Sequence, residues 1–141
     1  MRNKTVRRVS SLHALIFRIT QGRVGARLVR NDMLLLVTAG AVTRRPHTVP
    51  LLYLSRGRDL VVIASYGGRP AHPQWYKNLL VEPEAVVQIG ARKIAVTART
   101  ASGVERAQLW GRVVSAYEGY AQYQSRTERE IPIVILERGE M

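Results

Sequence analysis

Ser65-Tyr66-Gly67-Gly68-Arg69-Pro70-Ala71-His72-Pro73-Gln74-Trp75-Tyr76-Lys77-Asn78-Leu79-Leu80 is the stretch whose reading decides the fold. The apolar run ahead of it, residues 60–64, reads as a strand. Two glycines follow, so the backbone can take positive φ and expose N–H groups to an anion or a flat ring. Pro73 suits the first turn of a helix, where its missing N–H costs nothing. That helix is expected to stop before Pro83, because the residue ahead of a proline is pushed out of the α region. A strand, a bare glycine loop and a short helix carrying Trp75 and Asn78 make a cofactor lip. The competing reading is a strand-to-helix crossover whose tryptophan is core, and spacing alone leaves both open.

Outward from this stretch the chain reads as strands. Met33–Ala39 is a continuous apolar run ended by Gly40, hence a buried strand. Residues 40–47 form the first turn, and 48–54 the next strand, with Pro50 marking an edge or a bulge. Residues 85–89 and the alternating 93–99 are two further strands, and 131–136 is the last. Ser102-Gly103-Val104-Glu105 matches a capping box, in which the serine accepts from the Glu105 N–H and the glutamate reaches back. The helix it opens carries Ala107, Trp110 and Val114 on one face, and Gly119 is placed to bend or break it. Six short strands joined mostly by hairpins, with helices near the middle and before the last strand, predict a mainly β (α+β) fold. A small closed or split β-barrel of about six antiparallel strands, helices outside, fits better than a doubly wound sheet. No G-x-G-x-x-G lies between a strand and a helix, which argues against a Rossmann site.

Composition bounds the chemistry. The 141 residues fit one domain and contain no cysteine, which excludes disulfides, thiolate catalysis and Cys-ligated metals. His13, His47 and His72 show no metal-ligand spacing, so no metal is expected. No apolar run is long enough to span a bilayer and no signal peptide is evident, so a cytoplasmic location is the expectation. The net charge of +12 calls for an anionic partner. Much of it lies in residues 1–30, a basic segment without an acid. That segment precedes the barrel domain, residues 31–141, and holds apolar residues at helical spacing from Val9 to Ile19. Such a helix can lie on an anionic membrane surface as a peripheral contact, or pack on its own domain or a dimer partner. No helix-turn-helix or RNA-recognition pattern is visible, so nucleic acid is not an expected partner.

Three constellations carry chemistry. Tyr117, Tyr120 and Tyr123 recur every third residue and share a face if helical. Three phenols on one wall can stack on a ring and donate hydrogen bonds to an oxygen that gains charge during reduction. Arg44, Arg45 and His47 put cations in the first turn, suited to phosphate or carboxylate. Ser65 with Gly67 and Gly68 offers a hydroxyl and N–H groups to the polar edge of a ring. For each, the bland alternative remains: barrel packing for the tyrosines and solvated turn charges for the arginines.

In order, these residues resemble the deazaflavin (coenzyme F-420)-dependent nitroreductase family of actinobacteria, which has a flavin-reductase-like, FMN-binding split-barrel fold. The resemblance runs from about Leu34 to Leu136 and includes Leu34 to Gly40, Val49-Pro50-Leu51, Ala64-Ser65 with Gly67-Gly68, and His72-Pro73-Gln74-Trp75-Tyr76-Lys77-Asn78-Leu79. It continues through Glu82-Pro83, the tyrosine-rich Tyr117 to Ser125, and Ile131-Pro132-Ile133-Val134. It implies hydride transfer from the reduced deazaflavin to a quinone, nitro compound or activated enone, with flavin mononucleotide the less favoured cofactor. Ser65, Tyr66, Gly67, Gly68, Trp75, Asn78, Thr38 and Pro50 would border the cofactor, and Arg44, Arg45 and His47 its anionic tail. Tyr117, Tyr120 and Tyr123, with Ser65, would serve catalysis, and a homodimer fits such barrels. The first turn departs from the family pattern: Gly40-Ala41-Val42-Thr43-Arg44 stands where a basic pair is usual straight after the glycine, and Tyr66 stands where lysine is common. Arg44, Arg45 and Arg69 are the candidates to compensate. The alternative function is a non-catalytic split-barrel protein that binds a deazaflavin, flavin, haem or lipid.

Overall fold

The computed structural model describes residues 33–139. The basic segment 1–30, with its expected amphipathic helix, lies outside the described residues. Seven strands run in the order β1 (Met33–Ala39), β2 (Pro46–Leu52), β3 (Leu54–Arg56), β4 (Asp59–Ile63), β5 (Glu84–Ile89), β6 (Arg92–Thr100) and β7 (Ile133–Arg138). Three α-helices accompany them: α1 (Gln74–Val81), α2 (Gly103–Ala116) and α3 (Gly119–Ser125). The strands form one antiparallel sheet ordered β2-β1-β5-β6-β7-β4-β3, curled into a half-barrel. The split-barrel expectation therefore holds, with one strand more than the six read from the pattern.

The extra strand comes from the segment read as one strand over 48–54. The chain breaks at Tyr53, and the two pieces lie on opposite edges of the sheet. A three-residue strand is too short to show alternation, which is why β3 left no signal. Pro50 sits in the edge strand β2, where a residue without an N–H costs no ladder bond on the outer side.

β4 and β7 are buried on both faces, which explains their continuous apolar sequence. Leu60, Val62, Val134 and Leu136 join Leu34, Leu36 and the α1 residues Trp75, Tyr76 and Leu79 in one core. The intervening Val61, Ile63, Ile133 and Ile135 face a second core, closed by Leu109 and Val113 of α2. Each such side chain contributes about 1.5–3 kcal/mol when fully buried. The sheet is thus held by α1 on one side and α2 on the other.

The capping box does not form. Ser102 occupies the N-cap position of α2 but makes no side-chain cap bond. The Glu105 carboxylate is claimed instead by Arg99, at 2.7 and 2.9 Å, and by Arg56 at 2.7 Å. Hydrogen bonds first from Arg99 and then from Arg56 hold Glu105 down at about 2. Two guanidiniums outcompete one backbone N–H, and the glutamate ties α2 to β6 and β3 rather than closing its own turn. The expected interruption near Gly119 does occur. α2 ends at Ala116, the following Tyr117 is extended with φ −142° and ψ 97°, and α3 starts at Gly119.

Candidate active-site cleft

The sharp bend at Tyr117 turns α3 back over the end of the sheet, beside the glycine loop. A cleft of about 870 Å³ opens there, lined by β2, the loop after β4, the start of α1 and the tyrosine segment. Its volume is in the range of small-molecule and cofactor sites. His47, Pro50, Ser65, Tyr66, Gly67, Trp75, Asn78, Tyr117, Tyr120 and Tyr123 all line it. Ten of the residues singled out in the sequence thus converge from four separate segments.

The two glycines of the loop do different work. Gly67 has φ +64° and nothing within 4 Å of where a Cβ would sit, so it presents bare backbone to the cleft. Gly68 has φ +80°, is buried, and faces away from the cleft onto α3. A Cβ there would lie 2.6 Å from the Tyr123 carbonyl oxygen and 3.1 Å from its Cα. Gly68 is therefore the contact that lets the loop and the tyrosine helix meet. Tyr66, between Ser65 and these glycines, itself takes φ +49°, and the Arg69 guanidinium stacks 4.5 Å from its ring centroid. The N–H groups of Ser65, Tyr66 and Gly67 donate to no acceptor among the described residues.

The tyrosines form a ladder of edge-to-face contacts, with centroids 6.0 Å apart for Tyr117–Tyr120 and 6.1 Å for Tyr120–Tyr123. Burial, reinforced by Tyr117 and Tyr123, pushes the Tyr120 phenol up to about 12. It therefore stays protonated at neutral pH.

Thr38, Arg44 and Arg45 lie outside the cleft lining, and the side chains of Asn78 and His47 at its border are taken up in contacts within the protein. Thr38 is fully buried beneath the cleft, where its hydroxyl accepts from Asn78 Nδ2 at 3.0 Å. Asn78 Oδ1 accepts from the Ala41 N–H and from Gln74 Nε2, each at 2.9 Å. The Asn78 amide thus borders the cleft but is occupied in pinning the β1–β2 turn to α1. Arg44, held at φ +63°, reaches Glu82 at 3.3 Å, and neither it nor Arg45 lines the cleft. His47 folds against Gly40, where an added Cβ would lie 2.8 Å from its Nε2. Among the described residues, Arg69 is the arginine that lines the cleft.

One residue beside the glycine loop carries no signal in the sequence. Arg129, in the loop between α3 and β7, donates to the carbonyls of Ser65 at 2.7 Å, Arg69 at 2.8 Å and Ala64 at 3.2 Å. It also reaches His72 Nδ1 at 3.1 Å. Ser125-Arg126-Thr127-Glu128-Arg129-Glu130 reads as a solvated charged loop, and nothing in it marks the second arginine.

The model of the F-420H(2)-dependent quinone reductase family matches residues 9–138. The chain belongs to this family. An F-420H(2)-dependent quinone reductase of Mycobacterium tuberculosis is 39% identical over 132 residues, covering 90% of this chain and 88% of that one. The solved structure of an F-420H2-dependent reductase, FDR-A, superimposes with a TM-score of 0.72 at 37% identity, covering 80% of this chain and 100% of that one. A structure described as a domain-swapped dimer gives 0.73 at 32% identity, over 97% and 100%. The protein is accordingly an oxidoreductase of the quinone reductase family, with coenzyme F-420 as its cofactor and a quinone as its acceptor.

The cleft fits such a coenzyme. An aromatic wall at Trp75, bare backbone at Gly67 and three N–H groups without an acceptor among the described residues suit a flat ring with a polar edge. The fit is weaker on the side of the coenzyme's anionic tail, because neither Arg44 nor Arg45 lines the cleft. Among the described residues, no helix is long and apolar enough to cross a membrane and no cluster of ligands suits a metal.

Proposed function

We propose that this quinone reductase seats the coenzyme ring against the Ser65–Gly67 loop and Trp75, and its acceptor against the tyrosine ladder. The observation that carries this reading is the convergence of both walls on one cleft. The bound coenzyme supplies the hydride, and the protein's task is to position, desolvate and donate hydrogen bonds. The Ser65 hydroxyl and the loop N–H groups hold the polar edge of the ring. Tyr120, a neutral donor in a half-buried setting, hydrogen-bonds the acceptor oxygen as it gains negative charge. Tyr117 and Tyr123 fix the Tyr120 ring between their edges and flank the acceptor. Nitro compounds and activated enones present a similar oxygen and are further acceptors of the same site. Arg69 takes over the anion contact that the displaced first turn no longer offers.

Tyr120→Phe is expected to lower kcat about a hundredfold, the cost of one donor to a developing oxyanion, with coenzyme Kd unchanged. Steady-state kinetics beside a fluorescence titration of the coenzyme check this. Unchanged kcat removes the tyrosines from the acceptor side. The arginine-rich sequence of residues 1–30 supports a cytoplasmic protein that touches anionic membrane, where a lipophilic quinone would reside. Co-sedimentation with anionic vesicles should then fall with salt and on deletion of residues 1–20. The similarity to a domain-swapped dimer supports a homodimer, measurable by light scattering.

A further inference from the structure

Arg129 is a guanidinium drawn partly out of water with no carboxylate against it among the described residues. Its partners are three backbone carbonyls and the His72 ring, and desolvation lowers its pKa from the ordinary value. Among the described residues three of its hydrogen-bond partners are backbone carbonyls and none is a carboxylate, the group its fork pairs with most strongly. Its loop is itself fixed. Gln124 of α3 donates to the Arg129 carbonyl at 2.8 Å and accepts from the Ile131 N–H at 2.9 Å. The guanidinium is thus held from the tyrosine helix and reaches back to the glycine loop.

The direction of the peptides gives this clamp a consequence. In a planar trans peptide the C=O and the following N–H point in opposite directions. Arg129 draws the carbonyls of Ala64 and Ser65 toward itself. The N–H groups of Ser65 and Tyr66 therefore point away from Arg129, and both residues line the cleft. These same N–H groups have no acceptor among the described residues. The cation behind the two peptides also polarises them, which strengthens the N–H groups as donors toward negative charge.

We propose that Arg129 is a positioning residue of the reductase: through the Ala64 and Ser65 carbonyls it sets the Ser65 and Tyr66 N–H groups to receive the electron-rich polar edge of the coenzyme ring. It touches neither coenzyme nor acceptor and acts through the loop. The inference rests on the placement of the coenzyme proposed above, and it adds a residue that lies outside the cleft. His72 accepts from Arg129 through Nδ1, so its proton is on Nε2 and it is neutral in this arrangement.

The test compares wild type with Arg129→Met and Arg129→Lys, each checked for a cooperative melt. The first readout is the Kd of the coenzyme, oxidised and reduced, by fluorescence and absorbance titration. Arg129→Met is expected to weaken binding about tenfold or more, and the reduced form more than the oxidised form, because charge builds on the ring's polar edge. Arg129→Lys keeps the charge but not the fork, and should fall between the two. The KM for a quinone at saturating coenzyme should stay within about twofold, which general loosening of the cleft would not allow. The second readout needs no ligand: chymotrypsin should cut after Tyr66 faster in both variants. If Arg129→Met does not fold, Arg129→Lys carries the same comparison. Equal affinity and equal cleavage rates in a folded variant overturn the proposal. If wild type itself fails to bind the coenzyme, the functional reading falls instead, and the cleavage rates alone decide whether Arg129 sets the loop.

Discussion

The glycine loop after β4 and the turn after β1 begin alike, each a glycine-bearing turn that leaves a buried strand, yet the protein uses them differently. The loop spends its special geometry on the cleft. Gly67 is bare toward it, Tyr66 is held at positive φ, and Arg129 points the carbonyls out of the way. The turn spends its geometry on itself. Arg44 is turned at positive φ to meet Glu82, the Ala41 N–H is taken by Asn78, and Gly40 makes room for His47. The Arg44 guanidinium points to Glu82 and lies outside the cleft lining, so its charge is not presented to a ligand there. Basic residues near a site are not the same as basic residues available to it.

The sharpest way to break this contrast is at Gly68. Gly68→Val adds a branched side chain where Cβ alone meets the Tyr123 backbone at 2.6 Å, on a residue at φ +80°. Overpacking and backbone strain together should cost about 2–4 kcal/mol, and the loop must separate from α3. The expected outcome is a melting temperature lowered by several degrees and loss of measurable coenzyme binding. Gly67→Ala, at φ +64° but with open space around it, should cost only about 1 kcal/mol. Equal effects at the two glycines would abolish the distinction between a packing glycine and a cleft glycine.

A smaller effect separates the two arginines. Arg69→Ala should weaken coenzyme binding about three- to tenfold, since Arg69 lines the cleft and stacks on Tyr66. Arg44→Ala should change it less than about twofold, because an exposed pair with Glu82 is worth little and faces elsewhere. Parallel titrations at two salt concentrations would measure both. A larger loss at Arg44 than at Arg69 would return the anion-binding role to the first turn.

Much of this protein is legible in its sequence. The strands β1, β4, β5, β6 and β7 announce themselves by apolar runs or alternation, because a buried strand must be apolar wherever a neighbour covers it. α1 lies between the two prolines that bracket it, and the tyrosine spacing marks the segment that lines the cleft. The match to family motifs carried the coenzyme and the reaction. The local rules failed where two options competed for one group. Glu105 satisfied the capping pattern and chose two arginines; residues 48–54 satisfied the strand pattern and were divided between two edges.

The sequence by itself determined which residues had to be inside and where the chain had to turn, since burial and positive φ are demands that composition expresses residue by residue. Only the tertiary structure decided which polar groups meet. Asn78 was spent on Thr38 and Ala41, some 40 residues away in the chain, and Arg44 on Glu82, 38 away. Arg129 was sent to the Ser65 carbonyl, 64 residues away. A hydrogen bond requires a donor within about 3 Å and in line with its acceptor, a condition set by the curl of the whole sheet and the packing of its helices rather than by any local run of residues.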